Sequence, residues 1–189
     1  MATTGRVLLV GKRARVLDHL ADALRRQGLH VREETDLERV RTHIDGSTVD
    51  VLAVGRAVTG ARRESIVAAL RAKNPALRVV EGFAPITALL VAQVEEALTA
   101  PGTEERIVSS AWIDPGDDHV MVTLRRPVRV TVVLHRLDKL YRTHEHTVHD
   151  GPLDRGRHFL PLKRRNRASG GERFLVVRAD GQTTVHKVS

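Results

Sequence analysis

The chain has 189 residues, is 41% hydrophobic, 3% aromatic and free of cysteine, and carries a formal net charge of +8. Its cores must therefore be aliphatic, and the length suits two small domains or one of middle size. Disulfides, thiol nucleophiles and thiolate metal sites are excluded. No apolar run approaches the ~20 residues of a membrane-spanning helix, and residues 1–6 carry no apolar leader, so a soluble, cytoplasmic chain without a membrane partner is the expectation.

The first half alternates strand and helix. Arg6–Val10 is an apolar run suited to a strand buried on both faces. Val16, Leu17, Leu20 and Leu24 then form one helical stripe, ended by Gly28. Leu29–Glu33 reads as a second strand. Asp36 caps a second helix through Leu37, Val40 and Ile44, which Gly46 stops. Val49–Val54 is a third strand, and a third helix runs from about Ala61 to Lys73, before Asn74-Pro75. Leu77–Glu81 is a fourth strand, and a fourth helix follows Pro85. Right-handed crossovers make this a parallel sheet with helices on both faces.

Over residues 6–98 this succession resembles the receiver domain of response regulators, without its fifth strand and helix. In that family the third strand ends in the aspartate that accepts phosphate, and the first is followed by an acidic pair that holds magnesium. Here Gly55 ends Asp50-Val51-Leu52-Ala53-Val54, and Gly11-Lys12 follows Val7–Val10. The resemblance implies a degenerate receiver-like scaffold that works independently of phosphorylation.

Ala100-Pro101-Gly102-Thr103 marks a linker, set at residues 100–105 between domains at 1–99 and 106–189. Beyond it the apolar period becomes alternating. Strands are expected at Arg106–Ile113, His119–Leu124, Val128–His135, Leu140–Val148, Arg157–Leu162, Arg173–Ala179 and Thr183–Val188, the last two joined by the hairpin turn Asp180-Gly181. Seven short strands indicate a β-sandwich. Pro127–Val132, Leu137–Thr143, Gly151–His158 and Gly170–Ala179 together resemble the immunoglobulin-like module of the flagellar hook-capping protein, although Leu160-Pro161-Leu162 stands where that module carries a tryptophan. This resemblance implies a structural or adhesive module. The expected fold class is therefore α/β plus all-β: a four-stranded parallel receiver-like domain followed by an immunoglobulin-like β-sandwich.

Several residue groups are candidates for binding. Lys12, Arg13 and Arg56 follow strand ends where open α/β sheets bind ligands, and form a candidate anion rim, although no nucleotide-binding glycine pattern accompanies them. Lys163, Arg164, Arg165 and Arg167 form a basic loop able to grip phosphates, without nearby aromatics. His144 and His146 share a strand face that would chelate a metal only with a third ligand; a polar solvent-facing strand is the simpler reading. Ile86, Leu89, Val91 and Gln93 lie outside the main stripe of the fourth helix, an apolar surface that suits a contact with the second domain or another chain. Trp112 is either a core plug of the sandwich, the favoured reading, or packs between the domains.

No serine sits in a nucleophile elbow, and no carboxylate pair has spacing that points to acid–base catalysis. The expectation is a non-enzymatic interaction or scaffold protein without cofactor, with a protein partner or self-association. The rival is a nucleic-acid-associated regulator using the basic loop. The charge alone does not decide, being spread as +3 over residues 1–100 and +5 over 101–189.

Overall fold

The computed structural model describes residues 5–81, 86–100, 102, 105–114, 119–138, 142–162 and 172–188. The chain divides into two compact units, Met1–Leu98 and Thr99–Ser189.

The first unit is a parallel sheet of β1 (Arg6–Val10), β2 (His30–Glu34), β3 (Val51–Val54) and β4 (Arg78–Glu81), in the order β2-β1-β3-β4. Its helices are α1 (Ala14–Arg25), α2 (Leu37–His43), α3 (Gly60–Arg71) and α4 (Thr87–Thr99). Because side chains alternate along a strand, β1 feeds two cores. Val7 and Leu9 pack with Leu17, Ala21 and Leu24 of α1 and Leu90 and Val94 of α4. Leu8 and Val10 pack on the other face with Val40 of α2 and Ile66 and Leu70 of α3. A strand hydrophobic throughout is what two covered faces require.

Local signals set the element ends. The Asp36 carboxylate accepts from the Glu38 and Arg39 backbone N–H groups and so starts α2. Gly28 takes φ +84 just after α1, a region costly to other residues. Gly46 has a different task from stopping a helix. It opens a 3-10 turn over Gly46–Thr48, and a Cβ placed there would lie 2.3 Å from the Leu70 carbonyl oxygen. β3 begins only at Val51, two residues later than the Val49–Val54 strand expected from the sequence.

The second unit has two antiparallel sheets. One has the order β11-β10-β7-β8, built from β7 (Val128–Leu137), β8 (Thr143–Leu153), β10 (Glu172–Ala179) and β11 (Gln182–Val188). The other has the order β5-β6-β9, built from β5 (Val108–Asp114), β6 (His119–Leu124) and β9 (Gly156–Pro161). Both sheets contribute to one core: Ala111, Ile113, Val120, Val122 and Leu160 from the smaller, Val130, Val132, Leu134, Leu175 and Val177 from the larger. Each fully buried Val or Leu contributes about 1.5–3 kcal/mol to that packing. The β10–β11 turn puts Asp180 at φ 48 and Gly181 at φ 76, as a two-residue hairpin requires.

Strand β8 departs from the sequence expectation, running past Val148 to Leu153. It skips Val148 in a bulge and pairs Pro152 with Arg129. Proline is tolerated because β8 is an edge strand, where a missing N–H can face outward.

Candidate functional site

The carboxyl edge of the parallel sheet is where an open α/β fold places ligands, at the switch in strand order. Here the switch lies between β1 and β3. Val10 pairs with Val54, and the Gly55 N–H donates to the Val10 carbonyl at 2.8 Å. The residues that continue these strands, Gly11-Lys12 and Gly55-Arg56, therefore lie on neighbouring strands, and none supplies a carboxylate. Lys12, Arg13 and Arg56 are all exposed, the first two after β1 and the third after β3.

Carboxylates do stand at this edge, on the flanking strands. Glu34 ends β2 and accepts from the Thr35 and Asp36 N–H groups at 3.0 Å each, with Arg39 at 3.7 Å. Glu81 ends β4 and is ion-paired with Arg63. The acid next to β3, Asp50, sits at the opposite end of the sheet. It accepts from the Arg6 backbone N–H at 2.8 Å and from the guanidinium at 2.7 and 3.1 Å. The hydrogen bonds from Arg6 hold its pKa below the usual carboxylate value. Asp50 thus clamps β1 to β3 at their amino ends, far from the edge where phosphoryl chemistry would occur. Among the described residues, no three His, Cys, Asp or Glu side chains group as a metal site.

Two of the helices that start at this edge are open at their N-termini, while α2 is capped by Asp36. α1 begins after Arg13 and α3 after Thr59, both without a side-chain cap and without an acid in the first turn. Capping acids or hydroxyls usually satisfy these N–H groups. The missing caps add positive potential beside Lys12, Arg13 and Arg56.

The other predicted groups fall as follows. His144 Nε2 lies 3.2 Å from Asp138 Oδ2, which also accepts from Arg142 at 3.0 Å. His144 and His146 sit on β8 opposite Arg136 and Leu134. Lys163, Arg164, Arg165 and Arg167 lie outside the described residues. The helix face expected to be apolar surface is not open: Ile86, Leu89, Val91 and Gln93 are 5, 0, 8 and 6% exposed. A helix apolar on all sides buries more than one stripe, and Val91 joins Leu90 and Val94 in the core beneath α1. The last carbonyl of the fourth strand has a partner, since Gln93 Nε2 donates to the Glu81 carbonyl at 3.1 Å. Sequence reading counted Gln93 as outside the stripe and missed this role.

Trp112 is not a core plug. It is 38% exposed, while its neighbours Ala111 and Ile113 are buried. Their alternation carried the signal, because a residue between two inward positions of a strand faces the other way. His135 was also missed. It is 3% exposed, 3.7 Å from Glu145, and burial pushes its pKa down against the pull of that carboxylate.

No family model matches the chain, and no curated protein matches it. A solved structure of a pilus assembly-related protein from Burkholderia pseudomallei K96243 is similar over 52% of this chain and 75% of that one, with 19% identity and a TM-score of 0.34. So weak a likeness assigns no function to this chain.

Proposed function

We propose that this protein acts by binding and not by catalysis: a receiver-like α/β unit that has lost phosphoryl chemistry, joined to an immunoglobulin-like β unit, serving as a scaffold for a protein partner or a second copy. The observation that carries this reading is the pairing of the β1 and β3 ends. Gly11-Lys12 and Gly55-Arg56 occupy neighbouring positions at the switch point, where a receiver needs its acidic pair and its aspartate. A magnesium ion would meet cations and open helix N-termini there, which repel it.

Strand order supports the scaffold. β2-β1-β3-β4 is the doubly wound order 2-1-3-4-5 without its last strand. In the second unit, the first, second and fifth strands form one sheet, and the third, fourth, sixth and seventh form the other. Such crossing between sheets is the Greek-key habit of immunoglobulin-like sandwiches.

The test is incubation with acetyl phosphate and magnesium, read by intact mass and sedimentation. The mass and oligomeric state stay unchanged if the reading holds. A stoichiometric phosphoryl adduct, or a magnesium-dependent change in sedimentation, refutes it.

A further inference from the structure

The outer face of the β5-β6-β9 sheet carries an aromatic row. Trp112 pairs with Met121, and Met121 with Phe159. Their neighbours Ala111, Ile113, Val120, Val122 and Leu160 pack in the core, so the row faces outward. Trp112 is 38% and Phe159 59% exposed, while Met121 between them is 5% exposed. Two strand spacings separate the rings by about 10 Å. The chain has one Trp, one Tyr and three Phe, so two of its few aromatic side chains are shown to solvent on one line.

Cations flank one side of that row. Arg157 pairs with Thr123 in the next outward row. The register closes on Leu124 and Gly156, and Arg125 and Arg155 are the residues that follow and precede them in the chain. Arg125, Arg155 and Arg157 are exposed, and none of them forms an ion pair among the described residues. The opposite row holds Asp114, His119 and Pro161, so charge on this face is polarised, positive toward the start of β9.

Two half-exposed rings are too little for a stable protein interface, which covers about 800 Å² per partner. They suit flat rings that stack singly. Exposed arginines beside them, without an ion pair among the described residues, select a ligand that carries anions between its rings. We propose that this face binds single-stranded nucleic acid, with bases stacked on Trp112 and Phe159 and phosphates held by Arg125, Arg155 and Arg157. Open antiparallel sheets presenting aromatics receive unstacked bases in this way, largely without sequence preference. The proposal uses none of Lys163–Arg167 and is independent of how residues 1–98 are read.

Trp112 is the only tryptophan, so the protein reports its own occupancy. Fluorescein-labelled oligo-dT and oligo-rU of about 12 nucleotides are titrated into the full chain at several salt concentrations, following anisotropy and tryptophan emission together. Binding with quenched emission is expected, weaker for a duplex of equal length. Phe159→Ala weakens it by about fivefold or more. Changing Arg125, Arg155 and Arg157 to Gln lowers the salt slope of log K by about 2. Phe159 is largely exposed, so Phe159→Ala keeps its fold, checked by an unchanged melting curve.

The proposal is overturned if the oligonucleotides do not bind at low salt. It is equally overturned if they bind without quenching Trp112, if heparin quenches as strongly, or if only changes at Lys163, Arg164, Arg165 and Arg167 abolish binding. A change in oligomeric state on Phe159→Ala with oligonucleotide affinity intact assigns the row to a second copy instead and refutes it too.

Discussion

Replacing Gly46 by alanine should destabilise the first unit far more than its place in a short turn suggests. The new Cβ would lie 2.3 Å from the Leu70 carbonyl oxygen and 3.0 Å from that residue's Cα and carbonyl carbon, where ordinary contacts begin at 3.4 Å. The 3-10 turn and the end of α3 must therefore part by about 1 Å, and both are backbone, with no flexible tip to swing aside. Leu70 is 1% and Ile66 2% exposed, so the displacement passes into the core under α2 and α3. Overpacking of this kind costs about 1–3 kcal/mol. At roughly 4–8 °C per kcal/mol for a domain of this size, the melting temperature falls by about 4–24 °C. The four α-helices among the described residues lie within the span Ala14–Thr99, so the far-ultraviolet helix signal reports this unit. Gly28 is the control: its surroundings are open and only its φ of +84 is special. Asparagine tolerates that region, so Gly28→Asn stays near wild type while Gly46→Asn falls with Gly46→Ala. A Gly46→Ala protein melting within about 1 °C of wild type would refute the steric argument, since that leaves under about 0.3 kcal/mol.

Acid should weaken the second unit early. Burial lowers the pKa of His135, and of His186 with help from Arg106, below the ordinary 6.5. Both folded pKa values are depressed, so the unfolded chain takes up protons first and stability falls as pH drops below about 6.5 until the folded sites also titrate. Denaturant midpoints measured from pH 7.5 to 5 show this slope, and His135→Gln flattens it; an unchanged slope contradicts the burial of that ring. At the amino end of the parallel sheet, Asp50→Asn removes the partner of Arg6. Because Arg6 depresses the Asp50 pKa, the clamp is fully present above the unfolded carboxylate pKa near 4 and is lost as pH falls through the folded one. The gap between wild type and variant is therefore small at neutral pH, the pair being partly exposed, and closes at strongly acid pH. Equal stability at every pH would show that the pair contributes nothing. Gly181→Ala puts a side chain at φ 76 and costs about 1–2 kcal/mol in chemical denaturation; no loss would mean that the hairpin turn relaxes to another type.

Much of this molecule is legible in the chain itself, because period and punctuation are local. The all-apolar Val7–Val10 announces a strand covered on both sides, and its two cores confirm the physics. Asp36, Gly28 and Asp180-Gly181 announce ends that the backbone then takes, since capping and positive φ depend on a few adjacent residues. The absence of carboxylates after β1 and β3 is equally local: no tertiary arrangement puts an acid where Gly11 and Gly55 stand.

Tertiary structure decided what depends on contacts between distant residues. Gly46 is needed because α3 passes close by, a fact with no sequence signature. Gln93 looks like a surface amide until β4 offers it a carbonyl. Asp50 falls within a strand in the sequence, yet its role is set by Arg6, 44 residues earlier. Trp112 and Phe159 are 47 positions apart and unrelated by any motif; only the register of β5 and β9 on β6 makes them one row. Strand alternation fixes which face a side chain takes, because it is built into the backbone of each strand. Which strand lies beside it is a property of the folded sheet, and that is where the binding surface arises.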